Sequence, residues 1–381
     1  MRNSSRGAVD PFIVMDVMEA ARAAEDSGRH IIHMEVGQPS SPAPARARAV
    51  LAETMATDPL GYTVALGLPA LRRRIARLYG EWYNVDLDPA RVVVTPGSSG
   101  GFILAFTAMF DAGDRVALGM PGYPSYRQIL KALDLVPVEV PASPSNGYQL
   151  VPGDLQGVDY QGLMMASPAN PTGTMLDRAE LGAMIETCQA QGAAFLSDEI
   201  YHGIEYDKRA ITALELSDDV CVINSFSKYF SMTGWRVGWL VLPERSVRQV
   251  ERLAQNLFIC PSHAAQVAAL AAMECGDELQ ENLAVYARNR ELMLEGLPRA
   301  GFDRIAPPDG AFYVYADVSH LTEDSRAFAA EILDTAGVAV TPGLDFDPER
   351  GHGTLRFSYA RSTADIEEGL SRLQDFMKTR G

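Results

Sequence analysis

Residues 220–242 read VCVINSFSKYFSMTGWRVGWLVL. Two apolar runs, each strand-like, enclose a single lysine, Lys228, set among hydroxyl and aromatic residues, with Arg236 eight positions on. A solvated surface lysine needs no such surroundings. An amine held by apolar neighbours or beside another cation gives up its proton more readily and becomes a nucleophile for a carbonyl carbon. Arg236 adds a fixed charge and a planar fork of donors suited to phosphate. Because Lys228 follows an apolar run, its stem falls near the carboxyl edge of a sheet, where open α/β sheets collect ligands.

The same pattern extends outward. RVVVT, RVALG, GLMMAS and AAFLSDE are further short apolar runs, and helix-like stretches such as 126–135 and 177–191 lie between most of them. Runs that are apolar on both faces and separated by helices predict an α/β fold, a mostly parallel sheet sandwiched by helices. Asp10-Pro11 predicts the cap of a first amphipathic helix that Gly28 ends. LPALRRRIARLYGEWY places Leu71, Ile75 and Leu78 on one helical face, with arginines elsewhere. After Glu274 the pattern changes to a long helix at 277–297, GAFYVYADV, a helix at 325–335, VAVTPG, TLRFSYA and a terminal helix from Ser362. The expected organisation is a segment 1–35 packing with the small domain, a large domain over 36–274 and a smaller α+β domain over 275–381.

With 49 acidic against 33 basic residues the formal charge is −16. That argues against nucleic acid or an anionic membrane as partner, since both select basic surfaces. Cys188, Cys221, Cys260 and Cys275 are scattered without metal-ligand spacing, so no metal site and no disulfide framework is expected. No long uncharged apolar span occurs, and the expectation is a cytoplasmic protein.

Four further segments carry candidate chemistry. VVVTPGSSGG is a strand, a Gly/Ser turn and a helix start, where free amides and the positive helix end favour phosphate; Ser98 and Ser99 add hydroxyls. An ordinary strand–helix loop is the other reading. In SPANPTG, Asn170 follows a strand in a proline-stiffened loop. FLSDEIY ends a strand in Asp198 and Glu199, whose side chains point to opposite faces, so one alone is expected to enter a site. Arg356 alternates along TLRFSYA.

Taken in order and spacing, ANPTG, SDEIY, SFSKYFSMTGWRVGW, GAFYVY and LRFSYA resemble the class I aminotransferases, pyridoxal-phosphate enzymes of the aspartate-aminotransferase fold, fold type I. The likeness runs from Val36 to about Thr354. It implies that Lys228 holds pyridoxal 5'-phosphate through a Schiff base and later carries a proton. It implies that Asp198 pairs with the pyridine nitrogen and that Tyr201 and Asn170 hydrogen-bond the ring's phenolic oxygen. Tyr123 is expected to stack on the ring. The Ser98–Ser99 turn, Ser225 and Arg236 are expected to hold the phosphate, joined by Tyr62 from a neighbouring subunit of a homodimer with shared sites. Arg356 is expected to grip the substrate carboxylate, with Gly37 letting the backbone approach it.

The implied reaction is ping-pong transfer of an amino group between an L-amino acid and a 2-oxo acid, with 2-oxoglutarate or pyruvate as acceptor. The same scaffold serves carbon–sulfur β-lyases, which release ammonia and pyruvate from a β-substituted amino acid, and pyridoxal-phosphate-sensing regulators, which carry a basic DNA-binding segment. Phe12, Phe312 and Tyr313 are candidates to line an apolar side-chain pocket. Arg22, Arg29 and Arg288 are candidates for a second carboxylate only by being cationic.

Overall fold

The computed structural model describes residues 2–380. Its strands are β1 (Ile32–His33), β2 (Val92–Thr95), β3 (Arg115–Met120), β4 (Val136–Pro141), β5 (Gly162–Ala166), β6 (Ala194–Asp198) and β7 (Cys221–Ser225). They continue as β8 (Gly238–Val241), β9 (Arg304–Ile305), β10 (Tyr313–Asp317), β11 (Val338–Ala339), β12 (Thr341–Pro342) and β13 (Thr354–Ser358). Seven form the main sheet in the order β2-β8-β7-β6-β5-β3-β4. Neighbours from β7 to β4 run parallel, while β8 is antiparallel to both β7 and β2. The segment between β7 and β8 contains no α-helix to act as a crossover, and the chain returns antiparallel.

The sheet is buried on both faces. Along β2, Val92 and Val94 enter one apolar cluster with Leu163, Val222 and Trp239, while Val93 enters the other with Leu196, Ile223 and Leu240. This double burial is why the strands read as continuous apolar runs rather than as alternating ones. Each fully buried side chain of this size contributes about 1.5–3 kcal/mol.

The helices that flank the sheets are α1 (Ile13–Asp26), α2 (Ala45–Thr57), α3 (Pro69–Tyr83), α4 (Gly97–Met109), α5 (Pro124–Ala132) and α6 (Arg178–Gln191). They are followed by α7 (Glu244–Leu257), α8 (His263–Ala272), α9 (Gly276–Arg299), α10 (Ser325–Ala336) and α11 (Thr363–Arg380). On α3, Leu71 and Ile75 are fully buried as the spacing predicts. Arg74 is buried beside them because its guanidinium donates to the Glu274 carboxylate and the Met273 carbonyl. Asp177 caps α6 and completes a capping box with Glu180.

The first helix departs from the sequence expectation. It starts at Ile13, and its free amides at Ile13 and Val14 donate to the two oxygens of Asp345, 3.0 and 3.2 Å away. Asp10 faces away and accepts from Lys131 and Gln128. A carboxylate distant in sequence thus takes the capping role.

A second sheet, β12-β13-β10-β9, is antiparallel. β1 pairs parallel with β11, and α1 packs on β11 and β12, so the N-terminal segment lies against the C-terminal part of the chain. The gap between the main sheet's carboxyl edge and β10–β13 holds the candidate site.

Candidate active site

A cavity of about 600 Å³ opens at this gap. Its wall includes Gly37, Ser98, Ser99, Tyr123, Asn170, Asp198, Tyr201, Lys228, Arg236 and Arg356, brought from ten places on the chain singled out by sequence. Tyr62 and Ser225 lie outside this wall.

Asp198, the last residue of β6, forms the floor at 3% exposure. One oxygen accepts from the Ile200 amide at 3.1 Å and the other from the Tyr126 hydroxyl. Burial raises its carboxyl to about 6, against the pull of these two donors. Glu199 turns to the other side, accepting from the Ala213 amide and the Ser197 hydroxyl, and burial raises it to about 8. One carboxylate of the pair therefore enters the cavity, as alternation requires.

Lys228 follows β7 and reaches into the cavity, where Nζ donates to the Gly37 carbonyl at 2.6 Å. Burial, then the charges of Arg356 and Arg236, lower its ammonium from 10.5 to about 7. A lowered ammonium leaves more of the amine neutral, the condition a carbonyl-trapping lysine needs.

The opposite end of the cavity is built to take an anion. α4 begins at Gly97, so the first amides of the helix point outward, with Ser98 and Ser99 in the first turn. Arg236 lies against them, 3.4 Å from the Ser99 hydroxyl. Gly97 has φ +71°, and a Cβ there would sit 2.6 Å from the Arg236 guanidinium. Ser225 stands one layer behind: its hydroxyl is 2.8 Å from that of Ser227 and 3.1 Å from the Val237 carbonyl. Ser227 lies on the wall itself, and Ser225, expected at the phosphate, is joined to it through this hydroxyl bond.

Arg356, on β13, is 3% exposed. It donates to Asn170 Oδ1 at 2.8 Å, to the Glu35 carbonyl and to Thr341 Oγ1, while Nε has no partner. Its guanidinium lies between the rings of Tyr313 and Phe346, 4.5 and 4.7 Å from their centroids. The sandwich fixes the fork's plane and leaves it few alternative rotamers. Gly37 has a further reason to be glycine beyond the expected approach of a ligand. A Cβ at Gly37 would lie 1.7 Å from the Tyr313 hydroxyl.

Phe12, Val14, Met15 and Val36 complete the wall on the α1 side. Phe12 and Tyr313 therefore line the cavity as expected, but Phe312 does not; it is fully buried behind Tyr201, edge-on to its ring. A larger opening of about 960 Å³ adjoins and contains Arg22, Arg48 and Arg361. Arg22 is tied to Glu19 and Asp26, Arg48 to the Ala43 carbonyl and Arg361 to the His33 carbonyl. Arg29 donates to the Leu333 and Asp334 carbonyls and Arg288 pairs with Glu291, both away from the cavity wall. Sequence reasoning missed Tyr126 and Ser227. Tyr126 follows Tyr123 by three residues in PGYPSY, a helical spacing that could have signalled a shared face.

An acidic group at one end, a lysine near neutrality and an anion cradle at the other fit a flat cationic heterocycle that carries an aldehyde and a phosphate. Residues 29–373 match the family described as aminotransferase class I and II. The chain belongs to that family. It is 47% identical, over 99% of its length and 98% of the relative's, to the valine–pyruvate aminotransferase of Mycobacterium tuberculosis. It is 32% identical to the aspartate aminotransferase of Sulfurisphaera tokodaii, over 94% of this chain and 92% of that one. A solved candidate aminotransferase from Silicibacter pomeroyi superposes with a TM-score of 0.96 at 72% identity, each chain covered completely. This aminotransferase is a pyridoxal-phosphate-dependent enzyme of fold type I that moves an amino group between an amino acid and a 2-oxo acid. No helix among its described residues is long and apolar enough to cross a membrane.

Proposed function

We propose that this aminotransferase takes an L-amino acid with an apolar, aliphatic side chain as donor and pyruvate as acceptor. The observation that carries this reading is the balance of charge in the cavity. Its described cations are Lys228, Arg236 and Arg356, beside the apolar wall of Phe12, Val14, Met15 and Val36. With one cation for the amine chemistry, one for phosphate and one for the α-carboxylate, none of this chain's cations on the wall remains for a second carboxylate. The name of the Mycobacterium tuberculosis relative supports the same pair. Comparing kcat/KM for L-valine with pyruvate against L-aspartate with 2-oxoglutarate tests it; a preference for the dicarboxylic pair overturns it.

The geometry supports the residue roles that the resemblance implies. When bound, pyridoxal phosphate supplies an electron sink that acidifies the proton on the substrate α-carbon. Lys228 is the covalent anchor and, once freed, the base that moves that proton; burial favours its neutral amine. Asp198 holds the heterocycle's nitrogen protonated, and a cationic partner there returns its own carboxyl toward the ionised form. Asn170 and Tyr201 hydrogen-bond the ring oxygen, and Tyr123 covers the ring. Ser98, Ser99, Arg236 and the first amides of α4 hold the phosphate, together with the hydrogen-bonded pair Ser225 and Ser227. Arg356 holds the substrate carboxylate, and its unpartnered Nε is a buried donor facing no acceptor of the protein.

Tyr62 is 82% exposed, and Val64, Leu257 and Ile259 are 57%, 50% and 51% exposed. These exposed apolar side chains support a homodimer that covers this face and brings Tyr62 to the partner's phosphate. Sedimentation at micromolar concentration tests it, and a monomer with full activity sinks it. The main sheet lies wholly within residues 92–241 and the second within 304–358. This supports a large domain over 36–274 and a small one over 275–381, with 1–35 on the small one. Four free cysteines are in keeping with a cytoplasmic location.

A further inference from the structure

We propose that Tyr313 is a positioning residue that aims the Tyr201 hydroxyl at the cofactor's ring oxygen. The proposal rests on the reading above in which Tyr201 donates to that oxygen.

Tyr313 opens β10 and is 1% exposed. Its hydroxyl lies 2.7 Å from that of Tyr201, and no other hydrogen-bond partner among the described residues reaches it. The missing Cβ of Gly37 leaves the space this hydroxyl occupies. The Arg356 guanidinium lies 4.5 Å from the ring centroid, so the ring cannot swing away without losing that contact.

A phenol has one proton and can accept as well as donate. If Tyr201 gave its proton to Tyr313, the Tyr313 proton would be left with no acceptor among the described protein groups, which costs about 1–3 kcal/mol where no other acceptor reaches it. The order that satisfies both groups runs from Tyr313 to Tyr201, leaving the Tyr201 proton for the next acceptor. Burial holds both phenols above their ordinary range, so each keeps its proton at neutral pH. Two donors in series polarise one another, and Tyr201 becomes a stronger donor than it would be alone.

Tyr313→Phe removes the hydroxyl and keeps the ring that carries Arg356. The readout is the pH midpoint of the holoenzyme's visible absorption change, measured for wild type, Tyr313→Phe, Tyr201→Phe and the double variant. A donor on the ring oxygen competes for the charge that holds the proton of the neighbouring lysine-bound nitrogen, so losing the donor raises the midpoint. Tyr201→Phe is expected to raise it most. Tyr313→Phe should raise it by about 0.1–0.6 pH unit, because a donor in series strengthens the next bond by roughly 10–30%. The double variant should match Tyr201→Phe, and Tyr313→Phe should lower kcat several-fold while leaving KM for the amino acid unchanged. An unmoved midpoint in Tyr313→Phe beside a raised one in Tyr201→Phe overturns the relay, as does an additive double variant. An unmoved midpoint in Tyr201→Phe removes the reading of Tyr201 itself, and the relay with it.

Discussion

Lys228 gives the sharpest test, because its perturbed amine can be read without any cofactor. Folding carries the ammonium from 10.5 to about 7, burial first and Arg356 next. Between those two values the unfolded chain binds more protons at this site than the folded one, so stability rises with pH through the window and is flat in this term below it. The drop, at about 1.4 kcal/mol per pH unit, sets an upper bound on the order of 4–5 kcal/mol. Water entering the cavity reduces it. Replacing Lys228 by Met removes the charge and nearly preserves the stem. The cofactor-free variant should therefore melt higher than wild type at pH 7, with the gap closing toward pH 10. Differential scanning calorimetry of both proteins at pH 7, 8.5 and 10 follows this. Parallel curves, or a gap that widens with pH, would refute the argument that Lys228 is held near neutrality by burial. The variant should also fail to bind the cofactor covalently.

Arg356→Gln should raise KM for the amino acid and for the 2-oxo acid together, by about 10- to 100-fold, the equivalent of one charged hydrogen bond; a rise confined to one substrate refutes its assignment to the shared carboxylate. Tyr126→Phe removes a donor from Asp198 and should move that carboxyl further above about 6, since losing a donor disfavours the ionised form. The acid limb of the cofactor-affinity profile should then shift to higher pH, and superposed profiles would exclude Tyr126 from this part. Asp345→Ala uncaps α1 and should cost about 1–2 kcal/mol, seen as faster proteolysis near residue 12 and a higher KM for an apolar donor.

The short strands were legible because both faces of the main sheet are buried, which turns β2, β5, β6 and β7 into unbroken apolar runs. The residues of the cavity were legible for a related reason. Asp198 ends a strand, and Asn170, Ser98 and Lys228 each come within four residues of one, so local sequence order already places them at one edge of the sheet. Strand direction was not legible at β8, since an apolar run reads the same either way and the return path decides it. Nor was the bond between the Ser225 and Ser227 hydroxyls, which depends on how the backbone turns after β7.

By itself the sequence determined the α/β class, the order of the layers and the lysine at their edge, because burial pattern and turn chemistry act over a few residues. Only the tertiary structure decided which groups perturb one another. Asp345 caps a helix more than three hundred residues away, and Tyr313, Gly37 and Tyr201 meet from three separate segments. Arg356 lowers the Lys228 ammonium from a strand of the other sheet. Such effects depend on distance in space and on the exclusion of water, and neither is written in the spacing of residues along the chain.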